Sequence, residues 1–230
     1  MVEILSNSAY FGLVISLFSY QIALIIKNRL KFVLFNPLLV SVALCIGILL
    51  ACDVPYSKFM ASSEMIGYLL IPATASLAVP LYEQIELLKS NWVAILAGIV
   101  SGILSGLTTI FILALIFGLN HELYVTLLSK SVTTPIGIAI SSQLGGIVTI
   151  SVSVIIITGV SGAMLGEYIF KWLKIDAPIA QGVALGTASH AMGTAKAIEL
   201  GDIQAAMASL SIAVTGILTF FGAWIFSLFI

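Results

Sequence analysis

Long apolar runs separated by short polar stretches cover almost the whole chain. An α-helix needs about 20 apolar residues to cross the hydrocarbon core of a bilayer. Runs close to that length predict uninterrupted helices over residues 8–26, 36–52, 92–118, 146–170 and 204–230. The polar residues 53–63 predict a connection between two helices. The pattern therefore predicts an all-α polytopic membrane protein.

Three further apolar segments carry residues that break helices. They are residues 64–84, 123–142 and 177–199. Pro72 and Pro80 interrupt the first and Pro135 the second, because proline lacks a backbone donor and clashes with the preceding turn. Gly186 and Gly193 allow the third to unwind. We predict that the second segment still crosses the bilayer, and that the first and third enter and leave on one face.

The composition agrees with this class. The 230 residues are 60% hydrophobic and 8% charged, whereas soluble domains have about 25% charged residues. We predict a single membrane domain over residues 1–230. The net charge of −1 argues against a nucleic-acid partner. Cys45 and Cys52 lie in apolar sequence without metal-ligand neighbours, and we predict no metal site and no cofactor.

The basic residues predict an orientation in the membrane. Lys27, Arg29 and Lys31 follow the first predicted helix, and basic residues favour the cytoplasmic side. The N-terminus is therefore expected outside. Lys171 and Lys174 also fall inside if the broken segment of the first half re-enters.

A short internal similarity indicates a duplication. Residues 74–78 (Thr-Ala-Ser-Leu-Ala) resemble residues 187–191 (Thr-Ala-Ser-His-Ala), which lie 113 positions later. This offset predicts repeats of about 1–117 and 118–230. Each repeat would hold three crossings and a broken element, and an odd number of crossings inverts one repeat relative to the other. Inverted repeats with broken helices are typical of secondary transporters.

The first polar break places a cation and hydroxyls at membrane depth. Thr133 or Thr134 can cap a half-helix that begins at Pro135, and the free amides of such a terminus attract anions. Lys130 and the Ser131 hydroxyl precede it and would complete a site for a carboxylate. The alternative is an ordinary proline kink with a lysine that extends to the interface.

The second polar break offers further hydroxyls and a titratable group. Thr187, Ser189 and Thr194 are candidate substrate-binding residues. His190 is a candidate for a coupling proton because the ordinary pKa of imidazole is close to neutrality, although a packed hydrogen-bonding role is the alternative. Lys196 and Glu199 lie three positions apart and are expected to form a structural ion pair.

The corresponding stretch of the first half carries hydroxyls but no charge. If the duplication holds, Thr74 and Ser76 form a wall of the same cavity. The glycine- and serine-containing stretch 98–102 is instead expected to allow close helix packing.

Several blocks of sequence carry a resemblance to a known family. The blocks are residues 36–39 (Asn-Pro-Leu-Leu), 72–74 (Pro-Ala-Thr), 78–84 (Ala-Val-Pro-Leu-Tyr-Glu-Gln), 130–135 (Lys-Ser-Val-Thr-Thr-Pro), 145–147 (Gly-Gly-Ile), 186–191 (Gly-Thr-Ala-Ser-His-Ala) and 193–195 (Gly-Thr-Ala). Together, and in this order, they resemble the LrgB/CidB family of antiholin-like bacterial membrane proteins. Val148 departs from the pattern, which has proline there.

The resemblance implies two functions. Bacterial members are regulators of murein hydrolase activity and autolysis that act with a small holin-like membrane partner of the LrgA/CidA type. Plastid relatives carry glycolate and glycerate, and some bacterial pairs are associated with pyruvate. We therefore expect a secondary transporter of small monocarboxylates in the bacterial cytoplasmic membrane. The alternative is a non-transporting regulator of the holin-like partner, and a homo-oligomer stays open.

An enzyme is not expected. Ser189 and His190 are the residue types of a hydrolase, but neighbouring residues on a helix do not face each other. Motifs such as Gly-x-Ser-x-Gly and His-Glu-x-x-His are absent from the sequence.

Overall fold

A computed structural model describes residues 8–30, 37–76 and 78–230. Within these ranges the chain is helical and has no strand, which confirms the predicted all-α class. The chain divides into two compact units, Met1–Ser76 and Leu77–Ile230. The boundary between the units does not coincide with the predicted repeat boundary near residue 117. The single domain and the duplication stay predictions.

The first unit contains four helices. They are α1 (Phe11–Leu30), α2 (Pro37–Ala51), α3 (Tyr56–Tyr68) and α4 (Leu70–Ser76). The Gly12 amide in α1 donates to Ser62 Oγ in α3 at 2.9 Å, so α3 packs against α1. The prediction of a polar connection over residues 53–63 is therefore wrong for most of its length. The stretch is helical although it is polar, and the Ser62 and Ser63 hydroxyls donate to carbonyl oxygens of the preceding turn.

Pro72 and Pro80 each lie at the third position of a short helix. Pro72 is in α4, and Pro80 is in α5 (Ala78–Glu83), the first helix of the second unit. Amides in the first helical turn have no intrahelical partner, so a proline is tolerated there. Helix α3 ends at Tyr68 and α4 begins at Leu70, with Leu69 still close to helical geometry (φ −73°, ψ −12°). The segment is thus divided among three helices, which confirms the predicted break.

The second unit contains the remaining long helices. After α5 come α6 (Ile85–Phe117), α7 (His121–Leu128), α8 (Thr134–Gln143), α9 (Val148–Leu173), α10 (Pro178–Leu200) and α11 (Asp202–Phe226), followed by a 3-10 turn (Ser227–Phe229). By length and composition, four segments of the described chain can span a membrane. They are Phe11–Arg29, Ile85–Phe117, Val148–Leu173 and Asp202–Phe229. The protein is therefore a multi-pass membrane protein.

Helices α7 and α8 fold back on each other and form a hairpin, hairpin 1 (residues 121–143). Ser151 Oγ in α9 lies 2.8 Å from both Thr126 O and Ser141 Oγ. In one continuous helix, residues 126 and 141 would be about 22 Å apart at 1.5 Å per residue. The prediction that residues 123–142 cross the bilayer is therefore wrong, because contacts with α9 return α8 to the side where α7 begins.

Helix α10 also turns back on itself and forms hairpin 2 (Pro178–Leu200). His190 has φ 43° and ψ −133°, which interrupts the helix. A Cβ atom on Gly193 would overlap the carbonyl oxygen of Leu185, eight residues earlier, so the arms lie side by side. Near the hairpin base, Lys196 Nζ lies 3.2 Å from Glu167 Oε2 in α9. The predicted fold-back of residues 177–199 is confirmed.

The two hairpins enter the unit from opposite ends of α9. Ile155, in the middle of α9, contacts Gly137 of hairpin 1 with its side chain, and its carbonyl accepts from His190 Nε2 at 3.0 Å. The tips of both hairpins therefore approach the middle of α9. The hairpins begin 57 positions apart (121 and 178), end 57 positions apart (143 and 200), and approach α9 from opposite directions.

The hairpin arrangement predicts a specific labelling pattern. In a background with Cys45 and Cys52 changed to alanine, cysteines at Ala177 and Gly201 will react with an impermeant maleimide from the same side of the membrane. A cysteine at Asn120, at the base of hairpin 1, will react from the other side. Labelling of Ala177→Cys and Gly201→Cys from opposite sides would contradict the re-entrant assignment of hairpin 2.

Candidate functional site

A cavity of about 990 Å³ lies between α6, the two hairpins and α11. Lys130 and Ser131 line it from the tip of hairpin 1, and Thr187 lines it from the first arm of hairpin 2. Ala177 and Ala180, at the base of hairpin 2, line its other end. The cavity therefore extends from one face of the second unit to the region where the hairpins meet.

Lys130 supplies the positive charge of the cavity. Its Nζ donates to Ser131 Oγ at 2.8 Å and lies 3.9 Å from the position that a Cβ on Gly106 would occupy. Among the described residues, no carboxylate lies within salt-bridge distance of this ammonium. An ammonium at membrane depth without a counter-ion is costly unless it faces a wet cavity or an anion. The cavity is therefore a candidate anion site.

The break in hairpin 1 holds Lys130 in this position. Helix α7 ends at Leu128, and α8 begins after Thr133, whose φ of −67° and ψ of 151° are those of an N-cap. The predicted half-helix is thus present, with Pro135 in its first turn. The Thr133 side chain makes no capping bond, and neither it nor Thr134 lines the cavity.

Of the residues predicted in the second break, only Thr187 reaches the cavity. Its Cγ2 lies 2.9 Å from the position of a Cβ on Gly102 of α6. Ser189 packs against Gly162 of α9, and the Thr194 hydroxyl donates to His190 O at 3.1 Å. The structure therefore brings together Lys130, Ser131 and Thr187, and it places Ser189, His190 and Thr194 outside the cavity wall.

His190 is the turning point of hairpin 2. A positive φ is uncommon for a residue with a side chain and is tolerated where surrounding contacts fix it. The imidazole provides such a contact, because Ile155 O can only accept and Nε2 must donate to it. Close approach to α9 requires Gly159, where a Cβ would lie 2.8 Å from His190 Nε2.

The two glycines predicted as helix breaks have another role. Neither glycine is the residue that interrupts the helix, because the non-helical φ and ψ are those of His190. A Cβ on Gly186 would lie 2.5 Å from Ala208 O in α11, and one on Gly193 would overlap the Leu185 carbonyl. The glycines therefore permit close packing of hairpin 2. Sequence alone does not separate this role from unwinding, because both require a missing side chain.

The predicted pair of Lys196 and Glu199 is present and belongs to a larger cluster. Lys196 Nζ lies 3.1 Å from Glu199 Oε2 and 3.2 Å from Glu167 Oε2. Glu167 also pairs with Lys171 at 2.9 Å. The cluster joins the return arm of hairpin 2 to α9, so its role is structural.

Thr74 and Ser76 lie in α4 of the first unit. The Thr74 side chain lies outside the described part of the structure. Ser76 is exposed within its unit, and its hydroxyl donates to Ala73 O at 2.7 Å. Their place in a cavity wall stays a prediction.

A polar stripe on α6 was missed by the sequence analysis. Asn91, Ser101, Ser105 and Thr109 line the cavity. The expected packing role of residues 98–102 is confirmed, since a Cβ on Gly98 would lie 3.1 Å from Val183 Cγ1 of hairpin 2. The four-residue spacing of Ser101, Ser105 and Thr109, which places them on one helix face, was the available signal.

Metal ligands do not cluster at this site. Among the described residues, no group of three or more His, Cys, Asp or Glu side chains could hold a metal ion. The cavity instead offers an ammonium, hydroxyls and apolar surface, which suit a small organic anion.

Comparison with known proteins gives a consistent match. The model of the LrgB-like family matches residues 16–228. The chain is 39% identical over 211 residues to the antiholin-like protein LrgB of Bacillus cereus (strain B4264), covering 91% of this chain and 92% of the relative. The same values hold for the antiholin-like protein LrgB of Bacillus anthracis (strain A0248). No solved structure matches the chain.

Proposed function

The chain belongs to the LrgB-like family, and from its cavity we propose that it is a secondary transporter of small monocarboxylates such as pyruvate, glycolate or glycerate. The observation that carries the proposal is the Lys130 ammonium, which lines an internal cavity with no carboxylate within salt-bridge distance among the described residues. A substrate carboxylate would supply the missing negative charge. Ser131 is proposed as a further substrate-binding residue, and Thr187, whose hydroxyl is buried, is proposed to shape the cavity wall with its methyl group.

The arrangement of the hairpins supports transport. Non-helical backbone within a membrane is tolerated where it is buried in protein or lines a cavity, and transporters place such breaks at their central binding sites. Here the tip of hairpin 1 contributes Lys130 to the cavity, and hairpin 2 forms the facing wall. Movement of the hairpins relative to α6 would expose Lys130 to either side in turn.

The lysines of the second unit support an orientation. Lys89 lies near the start of α6, and Lys171 and Lys174 lie at the end of α9, beside the base of hairpin 2. Basic residues favour the cytoplasmic side, so we propose that the cavity end at Ala177 faces the cytoplasm. The membrane would then be the bacterial cytoplasmic membrane.

His190 is proposed as a group that could take up a coupling proton. With Nε2–H donating to Ile155 O, the neutral imidazole keeps a lone pair on Nδ1. A hydrolytic role is not supported by the contacts, because Ser189 packs against Gly162 and the His190 Nε2 is directed to a backbone carbonyl.

A second candidate function follows from the relatives. Their names describe antiholin-like proteins, and as the second candidate we propose a regulator of autolysis that acts on a small holin-like membrane partner of the LrgA/CidA type. Large apolar side chains such as Trp172 and Trp224, 81% and 61% exposed, provide surface for lipid or for such a partner. Carboxylate transport and control of autolysis are compatible if lysis responds to the carboxylate.

Uptake by purified protein separates the two functions. In proteoliposomes containing the chain alone, or the chain with its holin-like partner, we expect saturable uptake of radiolabelled pyruvate or glycolate. An imposed pH or sodium gradient will test the coupling ion in the same assay. No uptake of any monocarboxylate under these conditions would reject the transporter and favour the regulator.

A further inference from the structure

Two buried hydroxyls in the second unit have no hydrogen-bond partner. Thr187 Oγ1 in hairpin 2 and Thr215 Oγ1 in α11 are both inaccessible to solvent. The two residues are 5% and 2% exposed. Buried polar groups without partners are rare in folded proteins, and an ordered water or a bound ion is a common reason for them.

Neighbouring hydroxyls in the same elements do have partners. Ser209 and Ser211 donate to the carbonyl oxygens of Ala205 and Met207, both at 2.7 Å, and Thr194 donates to His190 O. This bond to the residue four positions earlier is the usual solution for a hydroxyl inside a helix. Thr187 and Thr215 do not adopt it, so their oxygen lone pairs are free for another ligand.

Packing indicates that both residues lie where hairpin 2 and α11 face each other. A Cβ on Gly186 would lie 2.5 Å from Ala208 O and 2.8 Å from Ser211 Cβ, so this face of α11 covers the first arm of the hairpin. Thr215 is one turn beyond Ser211 on the same face, because residues four apart on a helix are neighbours. Thr187 immediately follows Gly186. Thr215 therefore lies on the α11 face that is turned to hairpin 2, one helical turn beyond the contact with Gly186.

The turn also supplies backbone oxygens. His190 has non-helical φ and ψ, so the first arm of hairpin 2 ends there. A helix end leaves its last carbonyls without intrahelical donors and carries a partial negative charge. His190 O itself accepts from Thr194 Oγ1, so the ligand oxygens would be carbonyls earlier in the first arm. Neutral oxygen ligands at such an end favour a small hard cation. Because no His, Cys, Asp or Glu cluster occurs among the described residues, a monovalent ion suits the site better than a divalent one.

We propose that Thr187, Thr215 and carbonyl oxygens at the end of the first arm of hairpin 2 form a sodium site. Sodium binding at this site does not depend on the proposed transport function. A role for sodium as the coupling ion does rest on that function. Lys130 lines the cavity together with Thr187, and its charge opposes cation binding. A carboxylate bound at Lys130 would remove that opposition, so sodium and carboxylate would each increase the affinity for the other.

Thermal unfolding of the purified full chain tests the site without any transport assay. A ligand at free concentration L that binds only the folded state stabilises it by RT ln(1 + L/Kd), so the unfolding temperature rises with the logarithm of the ligand concentration once that exceeds the Kd. At equal ionic strength, sodium chloride is expected to raise the unfolding temperature above the values in potassium chloride and choline chloride. Thr187→Val and Thr215→Val are expected to lose this difference, and Thr187→Ser, which keeps the oxygen, to retain it.

Ser209→Ala is the matched control, because the Ser209 hydroxyl is already bonded to Ala205 O. It is expected to keep the sodium effect. Equal unfolding temperatures of the wild type in all three salts would overturn the site, as would an undiminished sodium effect in both valine variants. If a valine variant does not fold, the site is tested by binding of radiolabelled sodium to the wild type. We expect unlabelled sodium, but not potassium, to displace the label. Absence of displaceable binding would overturn the proposal.

Discussion

Lys130→Ala will reduce carboxylate uptake by about 100-fold. Removing a charged hydrogen-bond donor from a buried ligand costs about 3 kcal/mol, and each 1.4 kcal/mol corresponds to a factor of ten. The effect is expected to be large because, among the described residues, no other lysine or arginine lines the cavity. The measurement is initial uptake of radiolabelled pyruvate and glycolate into proteoliposomes over a range of substrate concentrations.

Lys171→Ala is the matched control for charge. The Lys171 side chain is 73% exposed and pairs with Glu167 outside the cavity, so uptake is expected to change less than about twofold. If Lys130→Ala transports as well as the control, the cavity lysine does not bind the substrate. Loss of uptake in both variants to the same degree would indicate a general charge effect instead of a specific site.

Gly193→Ala will destabilise the second unit by about 3 kcal/mol or more. The added Cβ would overlap the backbone oxygen of Leu185, and a backbone atom cannot move aside as a flexible side chain can. The two arms of hairpin 2 would have to separate, which removes packing around Leu185 and Ala197. Thermal unfolding in detergent and the fraction of monodisperse protein after purification measure this change.

Gly47→Ala serves as the control for the same chemical change. Gly47 lies inside α2, and a Cβ there would meet no atom within 4 Å. Alanine is favoured over glycine in a helix by about 0.5–1 kcal/mol, so this variant is expected to be neutral or slightly more stable. A Gly193→Ala protein as stable as Gly47→Ala would show that the arms of hairpin 2 are not in close contact.

The sequence alone identified the breaks and their polar residues because both are local properties. Pro135 prevents the preceding residues from continuing a helix, and Lys130 beside it is costly in lipid whatever the fold. The same local reasoning placed the start of α8 close to its observed position. It placed the break of this segment at Gly186 and Gly193 instead of at His190, because the contact of His190 with Ile155 O of α9 cannot be predicted from neighbouring residues.

Composition and the length of the apolar runs determined the class of this protein, its long helices and the place of Lys130 at a helix break. These three properties depend only on neighbouring residues and on the cost of burying polar groups in lipid. Only the tertiary structure decided that residues 121–143 turn back, that Thr187 reaches the cavity while Ser189 does not, and that the serines of α6 share the cavity with Lys130. The direction in which a chain continues after a break depends on distant partners such as Ser151, which bonds to both arms of hairpin 1. Hydrophobic periodicity reports how far each residue is buried, but it does not report which distant residue lies against it.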